Sequence, residues 1–177
     1  MPSAFVVDEN GKPLNSWRTI IADYWIYGFE DAGFSFEKSW DDDANAMSRI
    51  AKSPAPDQLR CPNSTDRFQT TYLAVVGQDT MWPTASPLIP ADDGTDDDKI
   101  LVIEVVNSDV LWIEPRDLTL EQAIECIEHN RGPCIGSQHR CGINYLTVGG
   151  DVRTLRHDID RESLRRLLVR EHTPNTP

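Results

Sequence analysis

Glu104 stands inside an otherwise apolar run, Ile100 to Val106, and is the first residue whose chemistry needs an explanation. A carboxylate on a strand that reads as buried on both faces is costly unless it is paired or hydrogen-bonded. Strict alternation puts Glu104 on the same face as Ile100, Val102 and Val106. Its functional reading is a general base or a metal ligand with a raised pKa. Its structural reading is a salt bridge to Arg116 or Arg18, and this is the favoured one.

A second group follows the strand. Trp112, Glu114, Arg116 and Asp117 form a Trp-Ile-Glu-Pro-Arg-Asp box around Pro115. Three charges beside a large aromatic are stable only if they pair. Asp117 has the type and place to support the amino end of the next helix. The alternative is a recognition patch floored by Trp112. His139, in a loop rich in Gly and Cys, could join Glu104 or Glu114 around a divalent ion, but no local His/Glu spacing argues for it. A histidine hydrogen-bonded to backbone is the favoured reading.

Acid also concentrates in the loop holding Asp92, Asp93, Asp96 and Asp98. Carboxylate and carbonyl oxygens there suit calcium, a hard cation, although Ile89 occupies a place where an EF-hand needs a ligand. A solvated acidic turn is favoured. Cys134 and Cys141 lie close enough in sequence for a disulfide, while Cys61 and Cys126 are isolated, and no Cys-x-x-Cys pair is present. There is no Gly-x-Ser-x-Gly elbow and no phosphate-binding glycine loop. His139 and Cys141, two apart on an extended segment, point the same way without facing each other. The expectation is a protein that is not an enzyme and needs no cofactor, calcium being the one candidate.

These groups need elements to position them. The 177 residues carry 29 acidic and 17 basic side chains, a net charge of −12. Such a surface repels phosphate backbones and anionic lipid, so nucleic acid is not an expected partner. No window approaches the roughly 20 apolar residues of a membrane span, and no basic start with an apolar stretch marks an export signal. One globular domain over 1–172 is expected, with a loose tail over 173–177.

Strands are expected at 3–8, 70–76 and 100–106, with 110–113 as a partner for the last. Residues 143–148 and 152–156 flank Gly149-Gly150, a two-residue hairpin signal. Helices are expected at 16–27, capped by Asn15 or Ser16, at 44–52, and from Thr119, with capping-box spacing to Gln122. A final helix starts at Asp160, with Ile159 and Leu164 at the positions of a hydrophobic staple. The pattern defines an α+β fold, an antiparallel sheet with helices packed on it.

In this order the segments resemble a bacterial domain family of unknown function, abundant in planctomycete-type bacteria and pseudopilin-like. The resemblance rests on Ser16-Trp17-Arg18, Ser39-Trp40-Asp41 with Asn45, Arg60-Cys61-Pro62-Asn63, Tyr72 to Gly77, Asp93-Gly94-Thr95, Trp112 to Leu118, and His139 followed after nine residues by Gly149-Gly150. Most of the chain is covered, and the Trp112 to Leu118 box is the most specific part. Two departures stand out: Gly149 replaces an aspartate, and the prepilin-type helix with which family members begin is not part of this sequence, which is then either a fragment of a longer product or a shortened relative. The resemblance implies a pilin-like globular domain without its long N-terminal helix. It also implies a structural or interaction role, with protein partners in the cell envelope, and no known activity.

Overall fold

A computed structural model describes residues 4–22, 24–26, 30–83, 96–129 and 133–170. The expected tail from 173, the Gly132 helix stop, and the Asp92 and Asp93 half of the acidic loop lie outside these residues.

The centre is β4, Ile100–Val106, whose residues are buried as far as Val105. β3, Tyr72–Val76, runs antiparallel to it on one side and β7, Ile143–Thr147, on the other. β8, Val152–Leu155, extends the sheet beyond β7. A two-residue strand, β5, Leu118–Thr119, lies parallel to β3 at the opposite edge, and β6, Cys134–Ile135, pairs with the end of β4. The architecture is therefore α+β with a mixed sheet, antiparallel except for the β3–β5 pair. A separate small ribbon joins β1, Phe5–Val7, to β2, Pro13–Ser16.

Both faces of the sheet are covered. On one face, Leu73, Val75, Ile103 and Val105 meet α3, Leu120–His129, and α4, Arg161–Leu168, through Ala123, Ile124, Leu164 and Leu168. On the other, Ala74, Val76, Leu101 and Val102 pack with Trp17, Trp82 and Trp112 and with the short helix α1, Trp17–Ala22, while α2, Asp43–Met47, is tied through buried Asn45 to the 35–39 loop. Burial on both faces is why β4 reads as a continuous apolar run instead of an alternating one.

Several local signals act as their chemistry requires. Thr119 and Gln122 form a reciprocal capping box: the Thr119 N–H donates to Gln122 Oε1 at 2.9 Å, and the Gln122 N–H to Thr119 Oγ1 at 3.2 Å. Asp160 Oδ1 accepts the Ser163 N–H at 2.8 Å to start α4, and Ile159 and Leu164 pack in the same core.

Other expectations are corrected. The 16–27 helix stops at Ala22, because Pro13–Ser16 is taken up by β2 and the N–H groups of Tyr24 and Trp25 close turns onto Ile21 and Ala22. Of the two expected caps Ser16 serves, its Oγ accepting the Arg18 N–H at 3.2 Å, whereas the Asn15 side-chain amide is buried and donates to the Phe36 and Lys38 carbonyls. The second helix ends at Met47, five residues earlier than expected, after an Asp42 cap.

Residues 110–113 give no partner strand for β4. Leu111 makes an isolated bridge with Gln69, and Trp112 turns inward. The Gly149-Gly150 hairpin closes through a longer turn, with the Thr147 N–H on the Asp151 carbonyl and Gly150 at φ 91°. An irregularity between Ile100 and Val102 also breaks the alternation of β4. Ile100 consequently packs on the α3/α4 face, away from Val102, and Val106 at the far end of the strand also packs there.

Candidate functional site

The charged box resolves into two separate networks. Arg18, fully buried on α1, reaches 2.7 Å from Asp117 Oδ1. Its remaining N–H groups donate to the Trp112 carbonyl at 3.2 Å, Glu114 at 2.7 Å and Arg116 at 3.0 Å. Asp117 Oδ1 also accepts from Trp17 Nε1 at 3.2 Å and from the Ala74 N–H at 2.8 Å. Arg18 therefore holds the box in shape from inside, while Asp117 ties it to β3. The guanidinium lies 5.3 Å from the Trp17 ring centroid. Burial pushes the Asp117 carboxyl up, against the opposing pull of Arg18 and the Ala74 N–H.

Arg116 belongs to the second network, on the surface, where it pairs with Glu114 at 2.6 Å and Asp109 at 2.8 Å. The Glu114 hydrogen bond raises the Arg116 pKa above its ordinary value.

This geometry corrects three expectations. Glu104 pairs with neither Arg116 nor Arg18. Asp117 does not serve the α3 amino end, which Thr119 and Gln122 complete. Trp112 is no surface floor: it is buried, with its ring N–H on the Ser53 carbonyl at 3.1 Å.

Glu104 instead meets His139 and Cys61, brought together by three separate segments. Glu104 Oε2 accepts the Asn144 N–H of β7 at 3.1 Å, and Oε1 lies 3.4 Å from His139 Nε2. Cys61 Sγ lies 3.3 Å from the same His139 nitrogen. Each residue is positioned by backbone. The Cys61 N–H donates to Thr71 Oγ1 at 2.6 Å, just ahead of β3. The loop carrying His139 is held to Glu104 itself, through the Gly136 N–H on the Glu104 carbonyl at 3.2 Å. His139 N–H donates to Ser137 Oγ, and its carbonyl meets His157 Nε2 at 2.7 Å. A cavity of ≈ 190 Å³ opens beside Cys61 and Glu104. Tyr72, opposite Glu104 across β3 and β4, has its phenol pushed up by burial, with the Glu104 and Cys61 charges adding to it.

Pairing of His139 with Glu104 was legible in the sequence as one option, but its third member was not. Cys61 lies 78 residues from His139, and no spacing rule connects them. Glu114 is held elsewhere, by Arg116.

The cysteine expectation is also corrected. Cys134 and Cys141 are not joined: Cys141 is exposed, whereas Cys134 is buried. Cys126 Sγ donates to the Ala123 carbonyl at 3.4 Å and accepts the Ile135 N–H at 3.2 Å, and the interaction between the two thiols lowers the Cys126 pKa and pushes Cys134 above the ordinary thiol range. In the acidic loop, Asp96 is buried and lies 3.5 Å from Arg170, and Asp98 pairs with Arg153. The two described carboxylates of the candidate calcium set are thus turned toward arginines.

No protein-family model, no characterised relative and no solved structure matches this chain.

Proposed function

We propose that this domain is a non-catalytic structural and interaction module, acting through contacts with a protein partner. The observation that carries the reading is the Arg18–Asp117 clamp. The inner half of the most charged and aromatic stretch is turned inward, where Trp112, Asp117 and the carbonyls held by Arg18 tie the fold together, a structural use of these groups. The likeness of Trp112 to Leu118 to the pseudopilin-like family, in which the same box stands, supports a role in the cell envelope.

A surface for contact lies on the Trp17 face of the sheet. A groove of ≈ 480 Å³ runs between α1 and the β7–β8 hairpin, lined by Ile21, Trp25, Tyr72, Leu146 and Val152 among others. Val152 is 77% exposed and Trp25 41%, more than isolated surface apolar residues require. With a net charge of −12, the complementary partner presents apolar side chains from a basic surface.

Site-specific photocrosslinking in the producing cells tests this. A photoreactive residue at Val152 or Trp25 should yield the same basic protein adduct, and one at Glu121, on the outer side of α3, should not. Absence of a common adduct from Val152 and Trp25, or equal labelling from Glu121, would refute the proposal.

A further inference from the structure

We infer that Cys61, Glu104 and His139 form a binding site for a divalent transition metal of the zinc type, closed by three protein ligands with one position left to water. The inference goes beyond the interaction role and rests on other side chains than the Arg18–Asp117 clamp.

The ligand atoms carry the argument. Sγ of Cys61, Oε1 of Glu104 and Nε2 of His139 all lie within 4.8 Å of one another. Tetrahedral zinc holds sulfur at about 2.3 Å and nitrogen or oxygen at about 2.0–2.2 Å, which separates ligand atoms by about 3.3–3.6 Å. The observed separations from Nε2 are 3.3 Å to sulfur and 3.4 Å to oxygen.

A hydrogen-bonded cluster explains the same atoms less well. Nε2 carries at most one proton, so if it donates to Glu104 the Cys61 sulfur beside it is left with only its own weak S–H to offer the carboxylate. A Cys–His–acid catalytic relay fits worse still. It requires the acid on the opposite ring nitrogen from the nucleophile, whereas here both approach Nε2.

Burial and support point the same way. Glu104 is 1% exposed on the central strand, a place that selects against a carboxylate without a strong partner. Its second oxygen is held by the Asn144 N–H, the kind of outer hydrogen bond that orients metal-binding carboxylates. A cavity of ≈ 190 Å³ borders two of the three ligand residues, Cys61 and Glu104. Sulfur, imidazole and carboxylate together suit zinc, cobalt or nickel and disfavour calcium and magnesium. An ion here would staple three segments: the turn before β3, strand β4, and the loop between β6 and β7.

Cobalt(II) titration of the full, metal-stripped chain tests the site. One equivalent should produce a thiolate-to-cobalt charge-transfer band and the intense visible bands of tetrahedral cobalt. Zinc should displace it, and zinc should raise the melting temperature. C61S and H139Q should abolish the charge-transfer band, while C141S, altering an exposed thiol outside the site, should keep it. E104Q, which preserves an acceptor for the Asn144 N–H, should weaken zinc by more than the roughly 10–100-fold typical of losing an outer partner. The inference is overturned by weak octahedral cobalt spectra in the folded chain, by a charge-transfer band that persists in C61S, or by zinc leaving the melting temperature unchanged. Failure of the crosslinking experiment would not touch it.

Discussion

Replacing Arg18 by Met removes the guanidinium but keeps most of the side chain's length and apolar stem. It leaves the Asp117 carboxylate fully buried with no cation, and breaking a buried pair from one side costs about 3–5 kcal/mol. The Trp112 carbonyl also loses a buried donor, which adds about 1 kcal/mol, while water can reach the half-buried Glu114 and Arg116 carbonyls. The total, roughly 4–6 kcal/mol, is a large part of the 5–15 kcal/mol of a typical domain.

The loss should depend on pH in one direction. Burial already pushes the Asp117 carboxyl above its ordinary value of 3.8, and Arg18 supplies the largest opposing pull, so R18M raises it further. A carboxyl raised in the folded state penalises folding fully above its folded pKa, and the penalty fades as pH falls toward the unfolded value. The R18M deficit should therefore shrink as pH is lowered from about 7 to about 5. Urea unfolding followed by tryptophan fluorescence is the assay, since Trp17 touches Asp117 and lies 5.7 Å from Trp82.

D117N completes a double-mutant cycle. Asn keeps an acceptor for Trp17 and Ala74 but leaves Arg18 unpaired, and the R18M/D117N double variant should lose about 2–3 kcal/mol less than the two single losses added together. A deficit below about 1 kcal/mol for R18M, a deficit that grows on acidification, or additive single losses would each refute the clamp argument.

Three further perturbations have definite outcomes. Gly142→Ala should destabilise by more than about 2 kcal/mol by thermal melting, because φ is +125° and the new Cβ would overlap the Leu155 carbonyl oxygen. Asp160→Ala should cost about 1 kcal/mol in the same measurement, through loss of the Ser163 N–H cap, with no change elsewhere in the sheet. Alkylation by iodoacetamide under native conditions, read by mass spectrometry, should modify Cys141 quickly and Cys126 and Cys134 only after denaturation, since the latter two are buried and bonded to backbone carbonyls.

The sequence was most informative where a signal is local. The Thr119–Gln122 capping box and the Asp160 start of α4 appear as spaced, because the atoms that meet there are three residues apart. The central strand was legible from its apolar continuity. What failed depends on longer-range competition. Asn15 looked like a helix cap but is recruited by the Phe36 and Lys38 carbonyls, more than twenty residues away. Asp117 looked like helix support, yet the buried Arg18, almost a hundred residues earlier, is the stronger partner. The irregularity after Ile100 shifted the facing of β4, which no count of alternating residues reveals. Cys61 was passed over for the same reason: a side chain whose neighbours come from β4 and the β6–β7 loop has no sequence-local signature.

The sheet ends on one side at β5, only two residues long, and on the other at β8, four residues long and carrying Arg153 bound to Asp98 and Asp151. Short, charged borders leave little backbone for an incoming chain to hydrogen-bond along. Another polypeptide joining this domain must therefore rest on it broadside, as a hand lies on a tabletop, because extending the β-ladder outward would stop within a few rungs.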